Sequence, residues 1–224
     1  MEQDNSKKLL ALSAAVIIVS IILVLWPARR RDSHREPDID STARGFSSKQ
    51  VIREIVDGDT FVLSDGSQIR LIGVDTPEEG QPYYREAIDF AEYRLPGTEV
   101  TLELDREPRD RYGRLLAYLF VDSLLYNETL VDSGLGSVYL FGNNTRFADR
   151  LIEAQKRARS SRVGIWSLPP PPPEEYYINP SGSFRFHRPL CWHLKDLDLS
   201  KARRFSNRDE ALDLGLSPCR TCRP

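Results

Sequence analysis

The chain has 224 residues, of which 40% are hydrophobic and 29% charged, and its net charge is −2. That length suits one or two domains rather than three, and the composition is that of a folded protein, not a disordered or fibrous one. A near-neutral balance excludes binding nucleic acid through a broad basic field, so any such contact must be local. The three Cys all lie after residue 190, which excludes an ordinary disulfide framework and leaves a metal site or free thiols.

Residues 1–8 form a flank to the first element, residues 9–26, which carry no charge and only two Ser. At about 1.5 Å per residue this run is roughly 27 Å long, enough to span a bilayer core. A cleaved signal peptide would have a shorter apolar region and small residues at its end. Here the run ends in Trp26-Pro27-Ala28 and Arg29-Arg30-Arg31, so it reads as an uncleaved single-pass transmembrane anchor. Lys7 and Lys8 on one side face Arg29, Arg30, Arg31 and Arg35 on the other, which tilts the C-terminal side toward the cytoplasm.

Residues 27–48 read as a polar linker. Val51, Ile52, Ile55 and Val56 then precede a turn at Asp57-Gly58. The β-branched and aromatic run 60–63, the Asp65-Gly66 turn signal and the return run 68–74 predict a hairpin. Residues 84–94 read as a helix closed by Pro96-Gly97, and 99–104 and 115–121 as strands. A short helix is predicted over 126–131, closed by Gly134, and a longer one over 145–160 with Phe147, Leu151, Ile152 and Ala158 on one side. Short strands followed by helices indicate an α+β domain, an OB-like barrel with capping helices, over residues 49–168. Pro169 to Pro173 then forms a stiff spacer within a linker over 169–176. The last module, 177–224, is too short for a good core unless something staples it.

Three clusters carry chemistry: Asp57-Gly58-Asp59-Thr60, then Arg70-Leu71-Ile72-Gly73-Val74-Asp75-Thr76-Pro77-Glu78, then Asp110-Arg111-Tyr112-Gly113-Arg114. Taken singly each has a bland reading as a turn, a solvated strand residue or a helix cap. Arg70 and Asp75 would point to opposite faces of one strand unless it bends, and Gly73 is a plausible place for the bend. The basic run Arg146, Arg150, Lys156, Arg157, Arg159 and Arg162 reads as a solvated helix face.

Together these motifs resemble the staphylococcal nuclease (thermonuclease) family over 49–166, including Asn143-Asn144-Thr145 before the last helix and Gly164-Ile165-Trp166-Ser167 at its close. The resemblance implies a five-stranded OB-fold barrel that hydrolyses DNA or RNA phosphodiesters and leaves 3′-phosphates. It implies Ca²⁺ held by Asp59, Asp75 and the main-chain carbonyl of Thr76, with room left for waters and a substrate phosphate. Glu78 would orient or deprotonate the attacking water, and Arg70 and Arg114 would grip the phosphate. Tyr112 and Tyr139 would lie near the bound nucleotide. Such nucleases are usually exported, which places the domain outside the cytoplasm, against the charge rule. All five key side chains are intact, which favours activity over the alternative of a catalytically silent nucleic-acid or protein tether on the same fold. No protein partner is expected.

In the last module, His187-x-x-x-Cys191 and Cys219-x-x-Cys222 form two ligand pairs with the composition of a structural Zn²⁺ site. Ser206-Asn207-Arg208-Asp209 reads as a helix start and Gly215 as its end. The layout resembles the Ada-type metal-binding module, with His187 in place of one Cys, a departure that puts methyl-acceptor chemistry in doubt. Two alternatives stay open here: His193 as the fourth ligand, and Cys219 with Cys222 as a redox pair.

Overall fold

The computed structural model describes residues 47–224. The anchor expected over 9–26, and all but the last residues of the linker, lie outside them. Among the described residues no helix is long and apolar enough to cross a membrane.

The barrel begins with β1 (Ser47–Ile55), β2 (Thr60–Leu63), β3 (Gln68–Leu71) and β4 (Gly73–Asp75), followed by helix α1 (Tyr84–Arg94). It continues with β5 (Glu99–Arg109), β6 (Leu115–Val121), β7 (Leu124–Leu125), α2 (Tyr126–Asp132), β8 (Ser137–Tyr139) and α3 (Ala148–Ser161). The main sheet runs β3-β2-β1-β5-β6-β7, and a further parallel pairing of β3 with β6 closes five of its strands on themselves. This is the expected OB-like barrel. All four residues of β2 are buried, as a closed core requires, and Phe61, Ile69, Ala117 and Leu119 are fully enclosed.

Several features differ from the sequence reading, and the strand expected over 99–104 runs on to Arg109. The strand expected over 68–74 is two strands, because Gly73 takes a left-handed φ of 76° and breaks the ladder. β4 then leaves the barrel sheet and pairs with β8, a strand that alternation over three residues is too short to reveal. The last barrel helix starts at Ala148, not Thr145. Asn144 is spent elsewhere: its side chain accepts from the Glu107 N–H and donates to the Glu107 carbonyl, both at 2.8 Å.

The C-terminal module contains β9 (Tyr177–Asn179), β10 (Arg185–Phe186), β11 (Arg203–Phe205), α4 (Arg208–Leu212) and β12 (Ser217–Pro218). Helix α4 is short but well capped: the Asn207 side chain accepts the Glu210 N–H at 2.9 Å, and Glu210 reaches back to the Ser206 N–H at 3.1 Å. Tyr177, Phe186, Phe205 and Leu212 make a small core. That core is supplemented by docking on the barrel. The Ser217 hydroxyl donates to the Val138 carbonyl in β8 at 2.9 Å, and Gln155 of α3 donates to the Leu212 carbonyl at 3.3 Å. Arg159 of α3 pairs with Asp209 and Asp213.

Most of the basic residues on and before α3 are likewise neutralised, as a solvated face would be: Arg146 meets Glu103, Arg150 meets Glu128, and Arg157 meets Glu128 and Asp132.

Candidate active site

The turn between β1 and β2 brings the first carboxylate into place. Asp57 accepts the Asp59 N–H at 3.0 Å, which tightens the turn and aims the Asp59 side chain inward. Gly58 has no freedom to carry a side chain: a Cβ there would stand 2.8 Å from the Ala87 Cβ and 2.9 Å from the Thr76 side chain. This contact seats the turn against α1 and against the segment that follows β4.

Asp59 is 4% exposed, so its charge needs partners. Its Oδ2 accepts from the Thr76 N–H at 2.8 Å and from the Thr76 hydroxyl at 3.0 Å. Its Oδ1 accepts from the Thr60 hydroxyl and contacts Arg70 Nη1. Arg70 Nη2 donates to Asp75 Oδ1 at 3.2 Å, so one guanidinium spans both aspartates. The bend at Gly73 is what makes this possible, as the sequence alternation required. Burial lowers the Arg70 pKa, and the charges of Asp75 and Asp57 oppose that shift. Arg70 Nη1 is buried without a directional hydrogen bond despite its ionic contact.

Arg114 reaches the same cleft from across the β3–β6 seam. Asp110 positions it: one carboxylate oxygen accepts the Tyr112 and Arg114 N–H groups at 2.9 and 3.1 Å, and the other accepts Arg114 Nε at 2.8 Å. Burial raises the Asp110 pKa, but the Arg114 guanidinium and these N–H groups outweigh it and hold the carboxyl below its ordinary range. Arg114 Nη1 lies 3.5 Å from the Thr60 hydroxyl.

The cleft encloses about 500 Å³. Arg70, Arg114, Tyr112 and Tyr139 line it together. Tyr112 is largely exposed at the edge, with its hydroxyl accepting from Arg111 at 2.6 Å. Tyr139 lies nearly parallel to Phe141 and under the Arg185 guanidinium, 4.6 Å from the ring centre. Glu78 stands at the exposed rim.

Two lining arginines escaped the sequence reading, Arg185 and Arg220, both from the C-terminal module. Arg220 donates to Asp75 Oδ1 at 2.6 Å and lies 3.0 Å from Glu78 Oε1. The only sequence signal was its place inside Cys219-x-x-Cys222; nothing in the spacing shows which way that loop faces.

The four expected ligands of the module do converge. Donor atoms of His187, Cys191, Cys219 and Cys222 all lie within 4.8 Å of one another. A tetrahedral zinc with Zn–S of about 2.3 Å has edges of about 3.8 Å, so the set needs little contraction to fit. Burial pushes the Cys222 thiol up to about 12, and the Arg188 N–H, which donates to its Sγ at 3.3 Å, opposes that shift. Burial, with His193 and Arg185 nearby, lowers the His187 pKa and favours the neutral ring that a metal requires. His193 is not part of the cluster: its Nε2 faces the Thr221 hydroxyl at 3.0 Å and its ring stacks on Trp192. The three Cys form no disulfide.

Fold and cleft together define a class: a small barrel that sets the paired carboxylates of Asp59 and Asp75 on one guanidinium, beside a cleft lined by arginines. Comparison with known proteins agrees. Residues 68–168 match the family described as staphylococcal nuclease homologue. The thermonuclease of Staphylococcus hyicus is 36% identical over 161 residues, covering 68% of this chain and 95% of that protein. The thermonuclease of Staphylococcus intermedius is 31% identical over 160 residues, covering 67% and 94%. Endonuclease YncB of Bacillus subtilis (strain 168) is 37% identical over 123 residues, covering 50% and 58%. The chain belongs to the staphylococcal nuclease family, whose class is that of phosphodiester-hydrolysing nucleases.

Proposed function

We propose that the protein is a Ca²⁺-dependent, membrane-anchored endonuclease that cleaves DNA or RNA and leaves 3′-phosphate ends. The observation that carries this reading is the Arg70 guanidinium set between Asp59 and Asp75, with Arg114 facing the same cleft. The donor set fits the cation: Asp59 and Asp75 offer hard carboxylate oxygens, and the Thr76 carbonyl is the expected third ligand. When bound, the cation supplies Lewis-acid polarisation of the phosphate.

The remaining chemistry belongs to the chain. Arg70 and Arg114 hold the scissile phosphate and offset the charge that builds as phosphorus becomes five-coordinate. Glu78 at the rim takes the proton of the attacking water or orients it. Tyr112 and Tyr139 border the nucleotide. The leaving group is the 5′ oxygen, so phosphate stays on the 3′ side.

Zinc held by His187, Cys191, Cys219 and Cys222 staples the C-terminal module. The apolar run 9–26 anchors the chain by a single pass, with the nuclease domain on the extracytoplasmic side.

Cleavage of single-stranded DNA and of RNA by the full-length chain in detergent tests the proposal. Activity is expected with Ca²⁺, and is expected to be lost in EGTA and in the Glu78→Gln and Arg70→Ala variants. A folded wild-type chain that leaves both substrates intact with Ca²⁺ overturns it.

A further inference from the structure

The C-terminal module carries one arginine into the barrel's cleft. Arg220 sits between Cys219 and Cys222 on the loop whose flanking thiols belong to the four-ligand cluster. The loop is fixed to the site by a short path. The Ser217 hydroxyl in β12 is bonded to the Val138 carbonyl in β8, and β8 pairs with β4, where Asp75 lies opposite Ser137. Arg185 of β10 braces the loop from within the module by donating to the Pro218 carbonyl at 2.9 Å, and its guanidinium lies over the Tyr139 ring of β8.

From this loop Arg220 Nη2 reaches Asp75 Oδ1, the same oxygen that accepts from Arg70 Nη2. Its Nη1 reaches Glu78 Oε1. A guanidinium has five N–H donors in a planar fork, so two contacts leave most of them free. The Arg220 side chain is 54% exposed, open enough to turn toward a ligand. The cleft beside it already holds Arg70 and Arg114, and Arg185 lies beyond Tyr139. Forked donors on the open side of such a cleft match phosphate oxygens better than any other group a nucleic acid offers.

We propose that Arg220 is a substrate-binding residue: it donates to a phosphate of the nucleic-acid strand on the Asp75–Glu78 side of the cleft, so that the C-terminal module forms part of the nuclease site. This rests on the nuclease reading above. It makes the module a component of the active site rather than an appendage, and the cysteine cluster the support that holds a phosphate contact in register.

The test is a salt titration of binding, with the full-length chain, Ca²⁺ and a fluorescent single-stranded phosphorothioate oligonucleotide that resists cleavage. Arg220→Ala is expected to weaken binding about tenfold at low salt and to flatten the plot of log K against log salt by about 0.7, the share of one phosphate contact. Arg220→Lys keeps a charge on a similar stem and is expected to keep the wild-type slope. Lys195→Ala removes the same charge from an exposed position on the same module and is expected to change neither quantity. Unchanged affinity and slope in Arg220→Ala overturn the proposal. Tighter binding also overturns it, and makes Arg220 a competitor for the acids instead. An equal flattening of the slope in the Ala and Lys variants overturns it as well, since Lys keeps the charge that a phosphate contact reads. If the wild-type chain cleaves unmodified DNA or RNA while Arg220→Ala matches it in binding, only the Arg220 assignment fails. If the wild-type chain neither binds nor cleaves, the nuclease reading fails and this inference with it.

Discussion

Thr76 gives both its backbone N–H and its hydroxyl to one oxygen of Asp59, at 2.8 and 3.0 Å. Two segments 17 residues apart are thereby locked at the point where the carboxylates meet. Thr76→Val removes the hydroxyl bond to a buried charge and is expected to lower stability by about 1.5 to 3 kcal/mol, the range for hydrogen bonds to charged groups. It is also expected to weaken Ca²⁺ binding. Urea unfolding and calorimetric titration with Ca²⁺ measure the two effects separately.

Gly73→Ala is expected to be severe. The position needs a left-handed φ of 76°, and a Cβ would stand 2.4 Å from Leu151 Cδ1. Left-handed strain and overpacking together suggest about 2 to 4 kcal/mol of lost stability. Because this bend turns Asp75 toward Arg70, cleavage is expected to fall beyond what reduced folding explains. Activity per folded molecule, with the folded fraction taken from denaturant unfolding, checks this.

Asp110 predicts an acid-sensitive loop. Its folded pKa lies below the ordinary value of 3.8, so it contributes stability that is present above that value and lost as pH falls through the folded one. Asp110→Asn is therefore expected to destabilise the chain at neutral pH and to narrow the stability difference between neutral solution and pH below about 4. It is also expected to slow cleavage, since it loosens Arg114. Unfolding curves across that pH range decide the first point.

The cysteine cluster predicts about one tightly held zinc per chain and a thiol reactivity that is low until the metal is removed. Cys222→Ser is expected to lower zinc content and to lower the thermal transition. Elemental analysis with thiol titration tests this, and fast-reacting thiols in the zinc-replete chain would sink it.

Much of the barrel was legible because local signals and global packing agree there. The helix over Tyr84–Arg94 and the strand Leu115–Val121 have the bounds that periodicity and punctuation indicate. The meeting of Asp59, Arg70 and Asp75 was legible only as a condition, since alternation separates Arg70 from Asp75 unless Gly73 bends the chain. Two things were not legible. A three-residue strand such as Ser137–Tyr139 carries no readable period, so the partner of β4 was missed. The direction of the Cys219–Cys222 loop depends on docking between segments far apart in sequence, through Ser217 and Val138, and no local pattern encodes that contact.

The parallel seam between β3 and β6, with Arg70 opposite Leu116, has a consequence for biosynthesis. A chain leaving the ribosome presents Asp59, Arg70 and Asp75 well before Arg114 has been translated, and Arg220 emerges later still. Until β6 arrives the barrel is an open sheet with an uncovered apolar face, and the pair formed by Arg70 and Arg114 is incomplete. The nascent protein is thus expected to need the most help from chaperones over the same interval.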